Sequence, residues 1–163
     1  MTILVTGGAG YIGSHMVYEL LDRGETVVVL DRLSTGFDWA VAPGAELVVG
    51  DIGDQPMVER LIAERGVNSI IHFAGSVVVP DSVADPLEYY LNNTVRSRSL
   101  IAAAVAGGVD NFIFSSTAAV YGSPEAVPVT EAAPKAPESP YGASKLMTER
   151  MLAVSYTHLR AHE

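Results

Sequence analysis

The sequence predicts an α/β protein with a doubly wound parallel sheet. Short β-branched runs alternate with helical patterns from the first residue, a glycine-rich turn joins the first run to the first helix, and glycines end three helices. Runs that are apolar on both faces are typical of buried parallel strands. Such strands are joined by right-handed crossovers through helices, which gives the doubly wound arrangement.

Five apolar runs predict the strands, and four helical patterns lie among them. The strand runs are residues 3–5, 27–30, 47–49, 70–73 and 112–114. The helical patterns are residues 11–23, 55–65, about 87–106, and 141 to about 154. Gly24, Gly66 and the pair Gly107-Gly108 stand where left-handed C-cap residues belong. The proline-rich residues 123–140 predict one long loop, and loops of this length are commonly functional lids.

Composition narrows the function classes. The chain has 163 residues, 48% of them hydrophobic, which suits one domain with a sizeable core. Its net charge of -9 argues against nucleic acid and anionic membranes as partners. The sequence contains no cysteine, and its four histidines lack metal-ligand spacing, so we expect no metal site. No leader pattern or apolar run of about 20 residues is present, which predicts a cytoplasmic protein.

The glycine-rich turn predicts a dinucleotide site. Gly8, Gly10 and Gly13 fit the G-x-G-x-x-G pattern, and Gly7, Gly10 and Gly13 fit a G-x-x-G-x-x-G spacing. Such glycines allow a tight turn and close approach by phosphate, while the helix N-terminus offers free N–H groups to the pyrophosphate. The alternative, a merely flexible turn, is disfavoured because the motif opens a helix directly after a strand.

Acidic residues follow the second and third predicted strands. Asp31 can accept hydrogen bonds from both ribose hydroxyls and would repel a 2′-phosphate, which favours NAD over NADP. Arg32 is a counter-signal, since an arginine here can hold a 2′-phosphate, although a solvated loop charge is the simpler interpretation. Asp51 could accept from the adenine amino group or could equally be an N-cap or loop acid.

The last helix begins with a pattern suited to redox chemistry on an alcohol. Tyr141 and Lys145 are four residues apart and so share one helix face. A phenol with a pKa of about 10 needs a drop of about 3 units to act as a base near pH 7. Lys145 and an oxidised nicotinamide can supply the positive charge that lowers it. The alternative is an amphipathic helix with one exposed lysine. Hydroxyl residues up to Thr117 follow the last strand, where sites in such sheets lie.

With these motifs the chain resembles the extended short-chain dehydrogenase/reductases and, among them, the UDP-glucose 4-epimerases. The resemblance covers residue 1 to about residue 152. It is carried by residues 5–15, 50–52, 72–75, 86–90, 112–122 and 139–147. The glycine loop and Y-x-x-x-K are shared across the superfamily, whereas His-Phe-Ala-Gly and Pro-Leu-Glu-Tyr-Tyr are more characteristic of the epimerases.

The resemblance implies a Rossmann-type NAD-binding domain and a set of roles. Thr117 would be the catalytic hydroxyl, Tyr141 the acid/base and Lys145 its activator. The 4-hydroxyl of a UDP-sugar would lose a proton to Tyr141 while C4 gives hydride to NAD, and the keto sugar would take the hydride back on its other face. The implied NAD contacts, besides Gly7, Gly10, Gly13, Tyr141 and Lys145, are Tyr11, Ile12, Asp31, Arg32, Leu33, Ser34, Thr35, Gly36, Asp51, Ile52, Phe73, Ala74, Gly75, Ser76, Val77 and Asn93.

The chain departs from the resembled family in two ways. Val77 stands where well-known members carry a lysine near the cofactor phosphates. Those epimerases also continue for about as many residues again, and that part binds the nucleotide-sugar. We therefore expect an N-terminal fragment: an incomplete NAD-binding domain over residues 1–153, then a non-native tail over residues 154–163. The tail is similar to one that recurs at the ends of translated sequencing reads. Without a sixth strand, residues 112–114 would form an exposed sheet edge and favour aggregation.

Other readings of the sequence remain open. Nucleotide-sugar 4,6-dehydratases and decarboxylases place an acid after the catalytic threonine, whereas Thr117 is followed by Ala118-Ala119, which favours epimerisation. Epimerases of other UDP-sugars fit equally well, and the 163-residue chain by itself could be a non-catalytic NAD-binding fragment. Leu91, Val95 and Val105 predict a core-facing helix face. In the resembled family that helix and the last one form a dimer interface, so the resemblance implies a homodimer.

Overall fold

A computed structural model describes residues 1–156, which form two compact units. The first unit comprises Met1–Gly75 and Ser99–Ser115, and the second comprises Ser76–Arg98 and the residues from Ser116 onward. Within the described residues, no helix is both long and apolar enough to cross a membrane. The part of the predicted tail at residues 157–163 lies outside the described residues.

The first unit is built on a five-stranded parallel sheet. Its strands are β1 (Thr2–Thr6), β2 (Thr26–Asp31), β3 (Glu46–Val49), β4 (Ser69–His72) and β5 (Asn111–Phe114), in the spatial order β3-β2-β1-β4-β5. Val5 is opposite Val29 on one side and Ile71 on the other, so the three central strands are in register. The fold class predicted from the sequence is confirmed.

Helices of the same unit cover both faces of this sheet. They are α1 (Tyr11–Asp22), α2 (Gln55–Arg65) and the part of α5 (Arg96–Ala106) from Ser99 onward. Alternate residues of each strand point to opposite faces. On one face Leu4, Val28 and Ile70 pack with residues of α2 and α5. On the other face Val5, Val29 and Ile71 pack with Val17 and Leu20 of α1.

The two outer strands differ from the prediction of strands buried on both faces. β3 has no fully buried residue, and β5 alternates between exposed and half-buried positions. Ile113 of β5 is 59% exposed. The reason is their place in the sheet: in the described residues each has a neighbouring strand on one side only. The expected edge position of residues 112–114 is therefore confirmed.

The second unit is helical. It contains α3 (Val79–Ala84), α4 (Pro86–Tyr89), a π-helical segment (Tyr90–Val95), the first turn of α5, a 3₁₀ turn (Ala118–Tyr121) and α6 (Pro140–Val154). Residues 123–139 lie outside helices and strands, as the long loop prediction required. Ser155 and Tyr156 continue beyond α6 in a π-helical conformation.

The helices of this unit differ from those predicted. Helix α3 was not predicted, because its six residues are too few to show a helical period. The helix predicted over residues 87–106 is instead α4, the π-helical segment and α5 in succession. Asp85 separates α3 from α4 and caps α4, since its side chain accepts a hydrogen bond from the Glu88 backbone N–H.

Candidate functional site

The glycine loop of the first unit forms a tight, closely packed turn between β1 and α1. Gly7 has φ +72°, and a Cβ built on it would lie 2.6 Å from the Ala74 backbone nitrogen. A Cβ on Gly13 would lie 2.1 Å from the Gly7 carbonyl oxygen. Both positions therefore require glycine. This agrees with the roles that the sequence motif predicts for them.

The N-terminus of α1 suits an anionic group. Gly10 is its N-cap, and no side chain caps the helix. The side chains of Tyr11 and Ile12, in the first turn, are 83% and 61% exposed. Helix N–H groups without a side-chain cap, together with the helix dipole, are favourable partners for phosphate. The loop therefore fits the pyrophosphate of a dinucleotide.

Asp31 ends β2 and is held against the glycine loop. Its Oδ2 accepts from the Ala9 backbone N–H at 3.0 Å, and its Oδ1 accepts from the Leu33 backbone N–H at 2.8 Å. Leu33 has φ +56°, an uncommon conformation for a residue with a side chain. The backbone thus fixes the orientation of this carboxylate, which retains lone pairs for further donors. A carboxylate preorganised in this way suits the ribose hydroxyls of NAD.

Arg32, which could have favoured NADP by holding its 2′-phosphate, contacts neighbouring side chains instead. Its Nε donates to the Ser34 hydroxyl at 3.0 Å, and its Nη1 lies 3.7 Å from Asp51 Oδ2. Asp51 Oδ1 accepts from the Gly53 backbone N–H at 2.8 Å, whereas the N-cap of α2 is Asp54. Asp51 is therefore not the N-cap of α2, and its carboxylate lies in the loop near Arg32. A contact with the adenine amino group stays a prediction.

The segment after β4 is anchored beside the glycine loop. The backbone N–H groups of Phe73 and Ala74 both donate to the Thr6 carbonyl oxygen, at 3.0 and 3.1 Å. The Thr6 hydroxyl also lies 2.6 Å from Nδ1 of His72, and both side chains are fully buried. The first unit therefore brings together most of the predicted cofactor residues. They are Gly7, Gly10, Tyr11, Ile12, Gly13, Asp31, Arg32, Leu33, Ser34, Thr35, Gly36, Asp51, Ile52, Phe73, Ala74 and Gly75.

The second unit holds the predicted catalytic residues. They are Thr117, Tyr141 and Lys145, together with the predicted cofactor residues Ser76, Val77 and Asn93. Thr117 is the N-cap of the 3₁₀ turn, and its Oγ1 accepts from the Ala119 backbone N–H at 3.2 Å. Ser139 caps α6 by accepting from the Gly142 backbone N–H, which places Tyr141 in the first turn of that helix.

Lys145 is the most chemically distinctive residue of α6. It is 4% exposed, and burial lowers the pKa of its ammonium group to about 8. It lies one turn beyond the half-buried Tyr141 on the same side of the helix. The alternative of an exposed lysine on an amphipathic helix is therefore wrong. The first part of α6 therefore carries a buried amine one helical turn from a half-buried phenol.

Asn93 has a structural role that the sequence did not indicate. It is buried in the π-helical segment, where its Oδ1 accepts from the Ser76 backbone N–H at 2.7 Å and its Nδ2 donates to the Ser76 carbonyl oxygen at 2.9 Å. Nδ2 also donates to the Ser144 hydroxyl at 3.2 Å, and that hydroxyl donates to the Tyr141 carbonyl oxygen at 2.7 Å. Asn93 thus connects Ser76 to α6 near Tyr141.

The fold and these sites define a Rossmann-type dinucleotide-binding protein. A family model described as the NAD dependent epimerase/dehydratase family matches residues 3–158. The chain belongs to this family, which confirms the predicted NAD dependence.

Individual relatives agree with the family match. The chain is 53% identical over 150 residues to a UDP-glucose 4-epimerase of Azospirillum brasilense, and 47% identical over 152 residues to one of Lacticaseibacillus casei. These matches cover 92% and 93% of this chain but 43% and 46% of the relatives. The crystal structure of UDP-glucose 4-epimerase from Brucella ovis in complex with NAD matches with a TM-score of 0.93 and 41% identity, over 96% of this chain and 48% of that one. The chain therefore spans about half the length of the relatives it matches.

Proposed function

We propose that this chain is the NAD-binding half of an enzyme that interconverts UDP-glucose and UDP-galactose. The observation that carries the proposal is the pairing on α6 of half-buried Tyr141 with buried Lys145, whose pKa burial lowers to about 8. We expect the Lys145 ammonium group, one helical turn from the phenol, to stabilise a phenolate that abstracts the proton of a sugar hydroxyl. The substrate is supported by the relatives from Azospirillum brasilense and Lacticaseibacillus casei, which are both named UDP-glucose 4-epimerase.

Different residues of the chain would bind NAD and transfer the proton. The uncapped N-terminus of α1 would bind the pyrophosphate of NAD, and Asp31 its ribose hydroxyls. NAD held by these residues would supply a reversible hydride acceptor. Tyr141 would take the proton of the sugar 4-hydroxyl and give it back after hydride return. Lys145 would stabilise the phenolate, and Thr117 would orient the hydroxyl through a hydrogen bond.

The residues after Thr117 favour epimerisation over dehydration. Ala118 and Ala119 form the start of the 3₁₀ turn and carry no acid. A dehydratase or decarboxylase of this family needs further acid/base groups there, whereas epimerisation at C4 needs one proton carrier. Epimerisation of a different UDP-sugar is compatible with the same residues.

The activity test uses the complete reading frame from which this chain comes. We expect UDP-galactose to be converted to UDP-glucose, and Tyr141→Phe to abolish turnover while NAD stays bound. The matched control is Tyr18→Phe, which removes a 49% exposed phenol from α1 and should leave turnover unchanged. A complete protein that retains NAD but leaves UDP-galactose unchanged, or that dehydrates a nucleotide-sugar, would contradict the proposal.

For the 163-residue chain by itself, we propose a non-catalytic NAD-binding fragment, because it spans about half of the relatives. We expect weak NAD binding and no turnover. The domain limit at residue 153, the non-native character of residues 154–163 and the cytoplasmic location stay predictions.

We also propose that the complete protein is a homodimer. Leu91 and Val95, which the sequence predicted to face the core, are 43% and 51% exposed, and Leu87 is 77% exposed. The core prediction is therefore wrong for Leu91 and Val95. The four-residue spacing of these three side chains produces an apolar stripe, which suits a contact with a second copy.

A further inference from the structure

Glu149 on α6 joins two distant parts of the second unit through one carboxylate. Its Oε1 accepts from the Ser116 hydroxyl at 2.5 Å, and its Oε2 accepts from Lys135 Nζ at 2.5 Å. Ser116 is 33 residues before Glu149, and Lys135 is 14 residues before it. Both carboxylate oxygens are thus occupied by donors from other segments.

The charges of this cluster reinforce each other. Partial burial raises the pKa of Glu149, but the hydrogen bonds from Lys135 and Ser116 outweigh it and hold that pKa below its ordinary value. The hydrogen bond to Glu149 in turn raises the pKa of Lys135. Both groups are therefore ionised at neutral pH. Hydrogen bonds between ionised partners are stronger than neutral ones.

The position of Glu149 relates it to the proposed chemistry. It follows Lys145 by four residues and Tyr141 by eight, so the three share one side of α6. Its partner Ser116 directly precedes Thr117, whose hydroxyl caps the 3₁₀ turn. The helix that carries Tyr141 and Lys145 therefore also fixes the segment that carries Thr117.

The Lys135 contact closes the long loop. Gly122, at the end of the 3₁₀ turn, has φ +62°, and a Cβ built on it would lie 2.1 Å from the Ala136 carbonyl oxygen. The two ends of residues 123–135 therefore meet, and Lys135 lies where they meet. Its ion pair with Glu149 ties this closed loop to α6. Compact surface loops with adjacent ends are frequently functional.

We propose that Glu149 is a positioning residue for the reaction, with two separable arms. Through Ser116 it holds the Thr117 hydroxyl in place, and through Lys135 it restrains residues 123–139. This inference rests on the proposed function. The Ser116 arm acts on the chemical step, and the Lys135 arm acts on substrate binding through the loop. Glu149 itself does not contact the reacting atoms.

The test compares Ser116→Ala, Lys135→Met and Glu149→Gln in the complete protein, with kcat, KM, melting temperature and bound NAD measured for each. Because small displacements of a catalytic group reduce rates steeply, we expect Ser116→Ala to lower kcat about tenfold with KM little changed. Lys135→Met should raise KM about tenfold with kcat little changed. Glu149→Gln should do the same, because its amide oxygen still accepts from the Ser116 hydroxyl whereas its Nε2 cannot accept from Lys135. The matched control, Glu131→Gln, alters an exposed acid of the same loop and should change neither constant.

A purely structural cluster would give a different result. If the variants lowered only the melting temperature and the folded enzymes kept the kcat and KM of the unmutated protein, the proposal would be overturned. If Glu149→Gln fails to fold, the kcat and KM of Ser116→Ala and Lys135→Met decide whether Glu149 is a positioning residue.

Failure of the proposed function is detected separately. An unmutated complete protein without activity on UDP-galactose would refute that function, and the loop restraint is then read by hydrogen exchange of residues 123–139 in the 163-residue chain. Lys135→Met and Glu149→Gln should accelerate this exchange, whereas Glu131→Gln should not. Unchanged exchange in the first two variants would overturn the positioning role.

Discussion

Gly142 and Ala119 are in closer contact than any side chain at position 142 would allow. A Cβ built on Gly142 would lie 2.6 Å from the Ala119 carbonyl oxygen. The first turn of α6 therefore rests directly on the backbone of the 3₁₀ turn. Gly142 follows Tyr141, and Ala119 is two residues after Thr117. The absence of one side chain thus sets the distance between the segments that carry these two residues.

This contact predicts a large effect of a small substitution. Gly142→Ala should lower the free energy of unfolding by about 2 kcal/mol, because the methyl group must displace backbone atoms. Denaturant unfolding of the 163-residue chain measures this change in the free energy of unfolding. The control is Gly44→Ala, where the nearest atoms to the new Cβ are Leu21 side-chain carbons at 3.4 Å. Equal stability of the two variants would contradict the contact.

Asp31 should determine the choice of cofactor. Asp31→Ala removes the acceptor held by the Ala9 and Leu33 N–H groups, so NAD affinity should fall about tenfold or more. The same change removes the charge that opposes a 2′-phosphate and leaves Arg32 in place, so the preference for NAD over NADP should shrink. Calorimetric titration of the complete protein with NAD and with NADP measures both affinities. The control is Asp38→Ala, which removes an exposed acid from a 3₁₀ turn at Asp38–Ala40. An unchanged preference in Asp31→Ala would refute the assignment.

Lys145 should make stability depend on pH in the alkaline range. Its pKa is about 8 in the folded chain and 10.5 in the unfolded reference, so the unfolded state binds the proton more tightly. Burial of the charged ammonium group lowers the free energy of unfolding by about 3 kcal/mol below pH 8. This loss of stability disappears as the pH rises to 10.5. Lys145→Met should therefore be more stable than the unmutated chain at pH 7, and the difference should narrow by pH 10. A difference that is constant with pH would contradict this burial effect.

The outer position of β5 predicts a tendency of the 163-residue chain to aggregate. Ile113 is 59% exposed on a strand that has one neighbour among the described residues. Ile113→Lys should increase the monomeric fraction in size-exclusion chromatography, since edge charges oppose strand pairing. Val83→Lys, on α3 and 64% exposed, is the control for a general charge effect. A monodisperse unmutated chain with a sharp melting transition would count against the prediction.

The apolar stripe of α4 and the π-helical segment should hold two copies of the complete protein together. Leu91→Glu is expected to shift the complete protein from dimer to monomer in analytical ultracentrifugation, because it places a charge in an apolar contact. Leu91→Met conserves the apolar character and should leave the dimer intact. A complete protein that is monomeric before any substitution would refute the homodimer.

Local patterns predicted much of the first unit. The strand runs, the left-handed glycines Gly24, Gly66 and Gly108, and the acid at the end of β2 are all readable from neighbouring residues, and the structure places them as expected. These features depend on backbone conformation and on burial within a few residues, which is the information that a sequence pattern contains.

The second unit was less predictable because its contacts join residues far apart in the chain. Asn93 bonds Ser76 across 17 residues, and Glu149 bonds Ser116 across 33. A sequence pattern does not indicate which polar side chains will meet at such separations. Periodicity also failed for Leu91 and Val95, because an apolar helix face can be directed toward a core or toward a partner.

The hydrogen bonds between Asn93 and Ser76 reproduce those of a β-ladder with a side chain. One carboxamide meets the N–H and the C=O of a single residue, just as a neighbouring strand would. Aspartate could accept from that residue but not donate to it, and leucine of similar size could do neither. Position 93 is thus restricted to an amide of this length, and the N–H and C=O of Ser76 are both hydrogen-bonded although Ser76 belongs to no strand.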